Sequence, residues 1–262
     1  MTESSKKDGI NRIEIGEVCR VEGHEAVLVD IKDSKVESVR LEVFEGTRFF
    51  EKIVISHPLS QLPHITSRVC AICSTGHVLA AINAVERGLS LSVSEPIIHL
   101  RELMHLGMII ESHATHIYAL ALPDYVKANT VAQLAVEHPK EFGAWIRFRN
   151  LGSKIQSIVG GRPFHPVNLH VGGFSCWPDP HKLQELLPEI QSAQEEAIQL
   201  CDLLQSFEPP CARTTEPVFM ALIPSGEHYS YFGDRVRCFS QIKNQQISLR
   251  RQSKIQQFLH RR

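Results

Sequence analysis

The sequence predicts an α+β fold that is mainly α, with a small N-terminal antiparallel sheet followed by a bundle of long helices. The first 46 residues carry β-branched residues in partial alternation, and from Thr47 onward the apolar residues recur at helical spacing. With 262 residues, 43% of them hydrophobic, the chain can bury a sizeable core. We expect three segments, 1–46, 47–236 and 237–262, within one domain overall.

The predicted strands come first in the chain. Ile13 and Ile15, then residues 26–31, then residues 36–44 carry the β pattern, and the polar stretches 22–24 and 32–34 separate them. Short β-rich runs divided by polar turns are typical of an antiparallel meander.

The predicted helices follow. Residues 51–55 form a short helix that ends before Pro58, because the residue before a proline avoids the α region. Residues 73–89 form the next helix, and Ser94 begins a long one that reaches about Leu122 and ends at Pro123. Further helices are expected at 139–159 and 181–207, with a Gly/Pro-rich segment, 160–174, between them.

The composition excludes several classes of protein. A formal net charge of -1 gives no electrostatic reason to expect nucleic acid or an anionic membrane as a partner. No apolar run approaches the roughly 18 residues that span a bilayer, and the N-terminus lacks a secretory apolar region. Seven cysteines with a single close pair fit a reducing compartment. We expect a cytoplasmic protein, although an exported complex can travel on a partner's signal peptide.

The motif with the clearest chemistry is RVCAICSTGH, residues 68–77, which contains Cys70 and Cys73. Closely spaced thiolates bind nickel, zinc or iron in clusters, although C-x-x-C also serves disulfide exchange. Two thiolates supply at most half of a four-coordinate site, and the chain contains no second C-x-x-C. Arg68 and His77 flank the pair.

Two glutamates each allow two interpretations. Glu22, in the run RVEGH at residues 20–24, is either a solvated turn residue or a proton relay beside a metal thiolate. Glu51 follows two phenylalanines and begins a helix, where it can stabilise the helix dipole or bind magnesium.

Histidines further along the chain are weaker candidates. His113 and His116 share one helical face ahead of Asp124, and a pair of hydrogen-bonded core histidines is favoured over direct metal ligation. Arg162 and His165 lie in a glycine-flanked turn that can present polar groups to a pocket, or is ordinary turn chemistry. Met104 and Met108 are expected to fill the core.

Five stretches in order, 20–24, 48–51, 68–77, 112–124 and 160–173, resemble the large subunit of nickel–iron hydrogenases. Ala71 between the cysteines and the run RFFE at residues 48–51 look more like the cytoplasmic, bidirectional or cofactor-coupled branches of that family.

The resemblance implies a reaction and a set of cofactors. The reaction is heterolytic cleavage of dihydrogen to protons and electrons, and the electron partner is an iron–sulfur small subunit. Cys70 would be a terminal nickel ligand and Cys73 a bridge between nickel and iron, the iron carrying carbon monoxide and cyanide that maturation proteins insert. Glu22 would accept the first proton, Glu51 would bind magnesium, and His77 would donate to the bridging sulfur. The remaining residues expected around the centre are Arg68, His113, His116, Asp124, Arg162 and His165.

The chain departs from the family pattern in one respect. The family completes its metal site with a D-P-C-x-x-C motif near the C-terminus, and these 262 residues have none. Residues 235–262 also lack Asp, Glu, Gly and Pro. We therefore expect residues from about Arg237 onward to be out-of-frame translation or the scar of a truncation, and this chain alone to be inactive.

Two other classes of protein stay open at this point. The chain is alternatively a non-catalytic assembly or scaffold protein that keeps the fold without the metal. The family-like protein of respiratory complex I is such a case, but it lacks the cysteines that this chain retains. A zinc or iron–sulfur module unrelated to hydrogenases is the third possibility.

Overall fold

The computed structural model describes residues 2–7, 10–18, 21–46, 48–208, 219–223, 233, 235–240 and 245–249. The chain forms two compact units, residues 1–200 and 201–262, where the sequence favoured one domain. The predicted boundary after residue 236 falls inside strand β8, Arg235–Ser240, and the division into three segments stays a prediction.

The predicted N-terminal meander is confirmed, and it has four strands where three were predicted. Its four antiparallel strands lie in chain order: β1 Thr2–Lys7, β2 Ile10–Ile15, β3 Glu25–Lys32 and β4 Lys35–Val43. Every second residue of β3 is buried, as expected for a strand with one covered face. Asp30 is among them, and its carboxylate accepts hydrogen bonds from the Arg12 guanidinium on β2, the shorter of 2.7 Å.

Residues 48–205 are mainly helical, which confirms the predicted fold class. The helices are α1 Phe49–Val54, α2 Leu62–Thr66, α3 Ser74–Gly88, α4 Glu95–Ala114, α5 Leu122–Val126, α6 Val131–Glu137, α7 Pro139–Gly160, α8 Pro180–Gln184 and α9 Leu186–Gln205. A hairpin of β5 Leu169–His170 and β6 Gly173–Phe174 follows α7. In unit 2, β7 Phe219–Ile223, β8 and β9 Gln245–Leu249 form an antiparallel sheet. Among the described residues, none of the helices combines the length and hydropathy that crossing a bilayer requires.

Two predicted helices differ in their ends. The long helix passes at Ala114 into a π-helical stretch, Thr115–Ala121, and Pro123 lies in the first turn of α5 instead of ending the helix. Proline is tolerated there because a first-turn N–H has no partner within the helix. The left-handed Lys127, with φ 58°, ends α5. The helix expected at 181–207 is divided at Glu185 into α8 and α9.

The core of unit 1 forms where α4 packs along α7. Gly107 and Gly152 let the two backbones approach, since a Cβ added to Gly152 would lie 2.4 Å from the Gly107 carbonyl oxygen. Met104 and Met108 are buried, as predicted. Leu106 is exposed, so the apolar circumference of α4 is only partly covered.

Candidate metal centre

The C-x-x-C loop lies between α2 and α3. Cys70 is 7% exposed, Cys73 is half-buried immediately before α3, and their Cα atoms are 5.5 Å apart. The Cys73 N–H donates to the Cys70 sulfur at 3.1 Å. The two cysteines are joined as a disulfide, whereas the sequence favoured free thiolates. A Cα separation of this size permits a disulfide, and reduction of that bond would leave two thiols side by side.

His165 reaches this loop from the end of α7. Gly161, with a left-handed φ of 84°, ends α7 and turns the chain back toward α3. The His165 N–H donates to the Ser74 hydroxyl at 2.9 Å, and its ring Nδ1 donates to the Ser67 carbonyl oxygen at 2.8 Å. The exposed Arg162 donates through Nε to the His165 carbonyl at 2.6 Å. The predicted Arg162–His165 turn therefore contacts the segments on both sides of the two cysteines.

A buried polar network extends inward from α3. The Thr75 hydroxyl donates to the Gln156 side-chain oxygen at 2.8 Å, and the Gln156 amide donates to the Glu111 carboxylate at 2.8 Å. Burial raises the pKa of Glu111, while Arg149, 3.7 Å from its carboxylate, and the Gln156 hydrogen bond oppose that rise. This network was not predicted from the sequence, although a glutamate on the buried stripe of α4 was a signal for it.

A second buried carboxylate ties the β5–β6 hairpin to the helices. Arg101 on α4 forms two hydrogen bonds with Glu86 on α3, at 2.7 and 2.9 Å, and one with the His170 carbonyl at 3.2 Å. The Gly172 N–H donates to the same carboxylate at 2.7 Å. Burial alone would raise the pKa of Glu86, but Arg101 and the Gly172 N–H outweigh it and lower that pKa.

Both candidate glutamates of the N-terminal region are exposed. Glu22 lies in the turn between β2 and β3, and Arg20 of the same motif falls outside the described residues. The Glu51 side chain is 73% exposed in the first turn of α1 and forms an ion pair with Arg48 at 3.8 Å. A position in the first turn agrees with the helix-dipole interpretation of Glu51, and its role as a magnesium ligand stays a prediction.

The predicted pair of core histidines is wrong. His113, on α4, and His116, in the π-helical stretch that follows, are both exposed. The buried stripe of α4 contains Arg101, Met104, Gly107, Met108, Glu111 and Ala114, and His113 lies off it. Asp124, also exposed, lies in the first turn of α5.

The two residues that flank the cysteines in the motif have different surroundings. Arg68 is exposed and lines a groove of about 480 Å³ together with Phe49 and Phe50. His77 is half-buried, and its N–H bonds the Cys73 carbonyl at 3.3 Å. Within the described part of the chain no hydrogen bond joins the His77 ring to either sulfur, so its predicted donation to Cys73 stays a prediction.

The donors in the described ranges form an incomplete site. No group of three or more His, Cys, Asp and Glu side chains there comes close enough together to hold a metal ion. Cys70 and Cys73 would supply two soft sulfur donors, which suit late transition metals and fill half of a four-coordinate site.

Comparison with known proteins shows what this chain resembles. Residues 48–147 match the sequence model described as nickel-dependent hydrogenase. The alpha chain of sulfhydrogenase 1 of Pyrococcus furiosus is 33% identical over 225 residues, which cover 86% of this chain and 53% of that protein. The matching chain of the vhu F420-non-reducing hydrogenase of Methanococcus voltae is 32% identical over 88% of this chain and 58% of its own length.

Solved structures share the fold. An NAD+-reducing [NiFe]-hydrogenase in the H2-reduced state superposes with a TM-score of 0.78 at 26% identity, covering 91% of this chain and 55% of that one. The Ni-Fe-Se hydrogenase from D. vulgaris Hildenborough, at 20% identity, has a TM-score of 0.70 over 92% of this chain and 54% of its own. The chain thus spans about half the length of the relatives that it matches.

Proposed function

Because this chain belongs to the nickel-dependent hydrogenase family, we propose that it serves as large-subunit sequence of a nickel–iron hydrogenase. The reaction is the reversible heterolytic cleavage of dihydrogen to two protons and two electrons, and the electrons pass to an iron–sulfur small subunit. The observation that carries the proposal is the pair Cys70 and Cys73, which lies inside the matched residues 48–147 and is held in one loop before α3.

In this proposal Cys70 would hold nickel, and Cys73 would hold both nickel and iron. The bound metals supply the Lewis acidity and the electron storage that hydrogen chemistry requires. The two thiolates would hold the metals and supply two of their ligands. Loops packed around a site hold its ligands in orientation, and the segment containing Arg162 and His165 is placed to do so here.

The finer assignments belong to the same proposal. Glu22 would accept the first proton from a protonated cysteine sulfur, which then becomes a thiolate. Glu51 would bind magnesium, and maturation proteins would insert the iron with its carbon monoxide and cyanide ligands. The protein works in the cytoplasm. The cytoplasmic assignment is supported by Ala71 and the RFFE run, and by the likeness to an NAD+-reducing enzyme.

Metal content tests the proposal. The chain is produced with hydrogenase maturation proteins and nickel, purified without oxygen, and analysed for metals per chain by mass spectrometry. We expect nickel with iron in the wild type, and at least a tenfold loss of nickel in Cys70→Ser and in Cys73→Ser. Cys176→Ser is the matched control, because Cys176 is an exposed free cysteine outside the loop. Zinc or sulfide-bound iron in place of nickel would contradict the proposal.

The second candidate function is assembly or scaffolding without a metal. It is favoured by the donor set, since no cluster of three metal-binding side chains occurs among the residues that the structure describes. A chain that is folded and free of metal after production with the maturation proteins would support it.

A further inference from the structure

We propose that His165 is a positioning residue that holds both ends of the C-x-x-C loop and thereby sets the separation of the Cys70 and Cys73 sulfurs. The inference deepens the proposed function, since its consequence for nickel rests on those sulfurs being the ligands. The geometry itself stands without a metal.

The two hydrogen-bond partners of His165 lie on either side of the two cysteines in the sequence. Ser67 lies three residues before Cys70, and Ser74 directly follows Cys73. The ring Nδ1 of His165 bonds the Ser67 carbonyl at 2.8 Å, and its backbone N–H bonds the Ser74 hydroxyl at 2.9 Å. One residue therefore spans the segment that contains both sulfurs. We call these two bonds the His165 clamp.

Both hydrogen-bond partners of His165 are buried. Ser67 is 2% exposed and Ser74 is fully buried. A buried group that loses its hydrogen bond gains no water in exchange, so each bond of the clamp contributes more to the loop geometry than a surface bond would. The loop's own bond from the Cys73 N–H to the Cys70 sulfur lies inside the clamp and does not anchor the loop to α7.

His165 itself is held in a fixed position. His165 has a left-handed φ of 50°, and Arg162 holds its carbonyl at 2.6 Å. Pro166, next in the chain, is fully buried, and α7 immediately before this turn packs along α4. The clamp is thus fixed to the helical core and not to a free loop.

The chemistry of the clamp indicates which substitution preserves it. A carbonyl oxygen only accepts, so the His165 ring must carry its proton on Nδ1. The side-chain nitrogen of asparagine is the same number of bonds from the backbone, and asparagine tolerates a left-handed φ better than most residues. His165→Asn therefore retains both the donor and the backbone conformation, whereas His165→Ala loses both.

The equilibrium between the two thiols and the disulfide reports how closely the protein holds the two sulfurs. The full 262-residue chain is equilibrated with reduced and oxidised glutathione, trapped by alkylation, and the Cys70–Cys73 peptide is quantified by mass spectrometry. In the reaction two protein thiols lose two protons and two electrons to form one S–S bond, and one oxidised glutathione is cleaved to two reduced molecules. The equilibrium constant gives the effective concentration of one thiol at the other.

We expect His165→Ala and Ser74→Ala each to lower this effective concentration about threefold to tenfold, as the loss of one hydrogen bond implies. The effective concentration in His165→Asn should stay within twofold of the wild-type value. Val167→Ala is the control, because Val167 is an exposed residue in the same turn as His165. Values for His165→Ala and Ser74→Ala within twofold of the wild type would overturn the proposal. If His165→Ala does not fold, Ser74→Ala alone decides.

A nickel titration of the reduced wild type, followed by the thiolate-to-nickel absorption bands, separates this proposal from the proposed function. A lowered effective concentration in the two variants with no nickel bound by the wild type supports the clamp and counts against the hydrogenase role. Nickel bound by the wild type with unchanged effective concentrations supports the hydrogenase role and overturns the clamp.

Discussion

Replacing Gly152 by alanine tests whether α4 and α7 are held at the closest approach that their backbones allow. An added Cβ would lie 2.4 Å from the Gly107 carbonyl oxygen, 2.8 Å from the Glu111 nitrogen and 2.9 Å from the Glu111 Cβ. Two of these three atoms are backbone, so no side-chain rotation relieves the overlap. The helices must separate, and the buried packing between them must loosen.

The magnitude follows from two opposing effects. Alanine is favoured over glycine inside a helix by up to about 1 kcal/mol. Overpacking costs typically ~1–3 kcal/mol, and contact with backbone atoms places this site at the upper end. We therefore expect Gly152→Ala to lower the free energy of unfolding by about 2 kcal/mol. With a urea dependence of roughly 3 kcal/mol per molar, the midpoint falls by about 0.7 M.

Urea unfolding followed by circular dichroism, under reducing conditions, measures this shift. Gly143→Ala is the matched control on the same helix, since its Cβ would meet only the Arg147 Nη1 atom, at 3.1 Å and at the end of a flexible side chain. That variant should be as stable as the wild type or up to about 1 kcal/mol more stable. A Gly152→Ala protein at least as stable as Gly143→Ala would refute the close packing of α4 on α7.

Two further predictions concern the buried carboxylates. Burial raises the pKa of Glu111 above its ordinary 4.5, so its contribution to stability is present below pH 4.5 and is lost as the pH rises through the raised pKa. The unfolding free energy of the wild type should therefore fall relative to that of Glu111→Gln as the pH rises from 4.5. Glu86→Ala leaves Arg101 buried without its counter-charge and should cost about 3–5 kcal/mol. Burial alone would raise the pKa of Glu86, but the Arg101 hydrogen bonds outweigh that effect and the pKa is lowered. The contribution of Glu86 to the free energy of unfolding is therefore present above pH 4.5 and disappears as the pH falls through the lowered pKa.

Each of these two predictions has its own control. For Glu111, urea midpoints of the wild type and Glu111→Gln are compared at a series of pH values, and parallel curves would show that this carboxyl does not titrate differently on folding. For Glu86, the surface pair of Lys154 with Glu189 offers Glu189→Ala, which should cost less than about 1 kcal/mol. Equal costs for Glu86→Ala and Glu189→Ala would contradict the buried ion pair.

The position of the C-x-x-C loop was predictable, whereas the partners of its residues were not. The strand pattern before Thr47 and the helix that follows Cys73 are local signals that depend on neighbouring residues, and both are confirmed. The exposure of His113 and His116 depends on which side of α4, and of the π-helical stretch that follows it, meets α7, and the sequence-based prediction was wrong there. A helix with apolar residues on several sides does not by itself specify its covered face.

The sequence by itself determined the meander, most of the helices and the cysteine spacing, because each of these follows from periodicity or spacing over a few residues. Only the tertiary structure decided what surrounds the cysteines. His165 meets Ser67 across 98 residues and Ser74 across 91, and Thr75 meets Gln156 across 81. Contacts at such separations arise from how α4 and α7 pack and where α7 ends, and no local pattern encodes that packing.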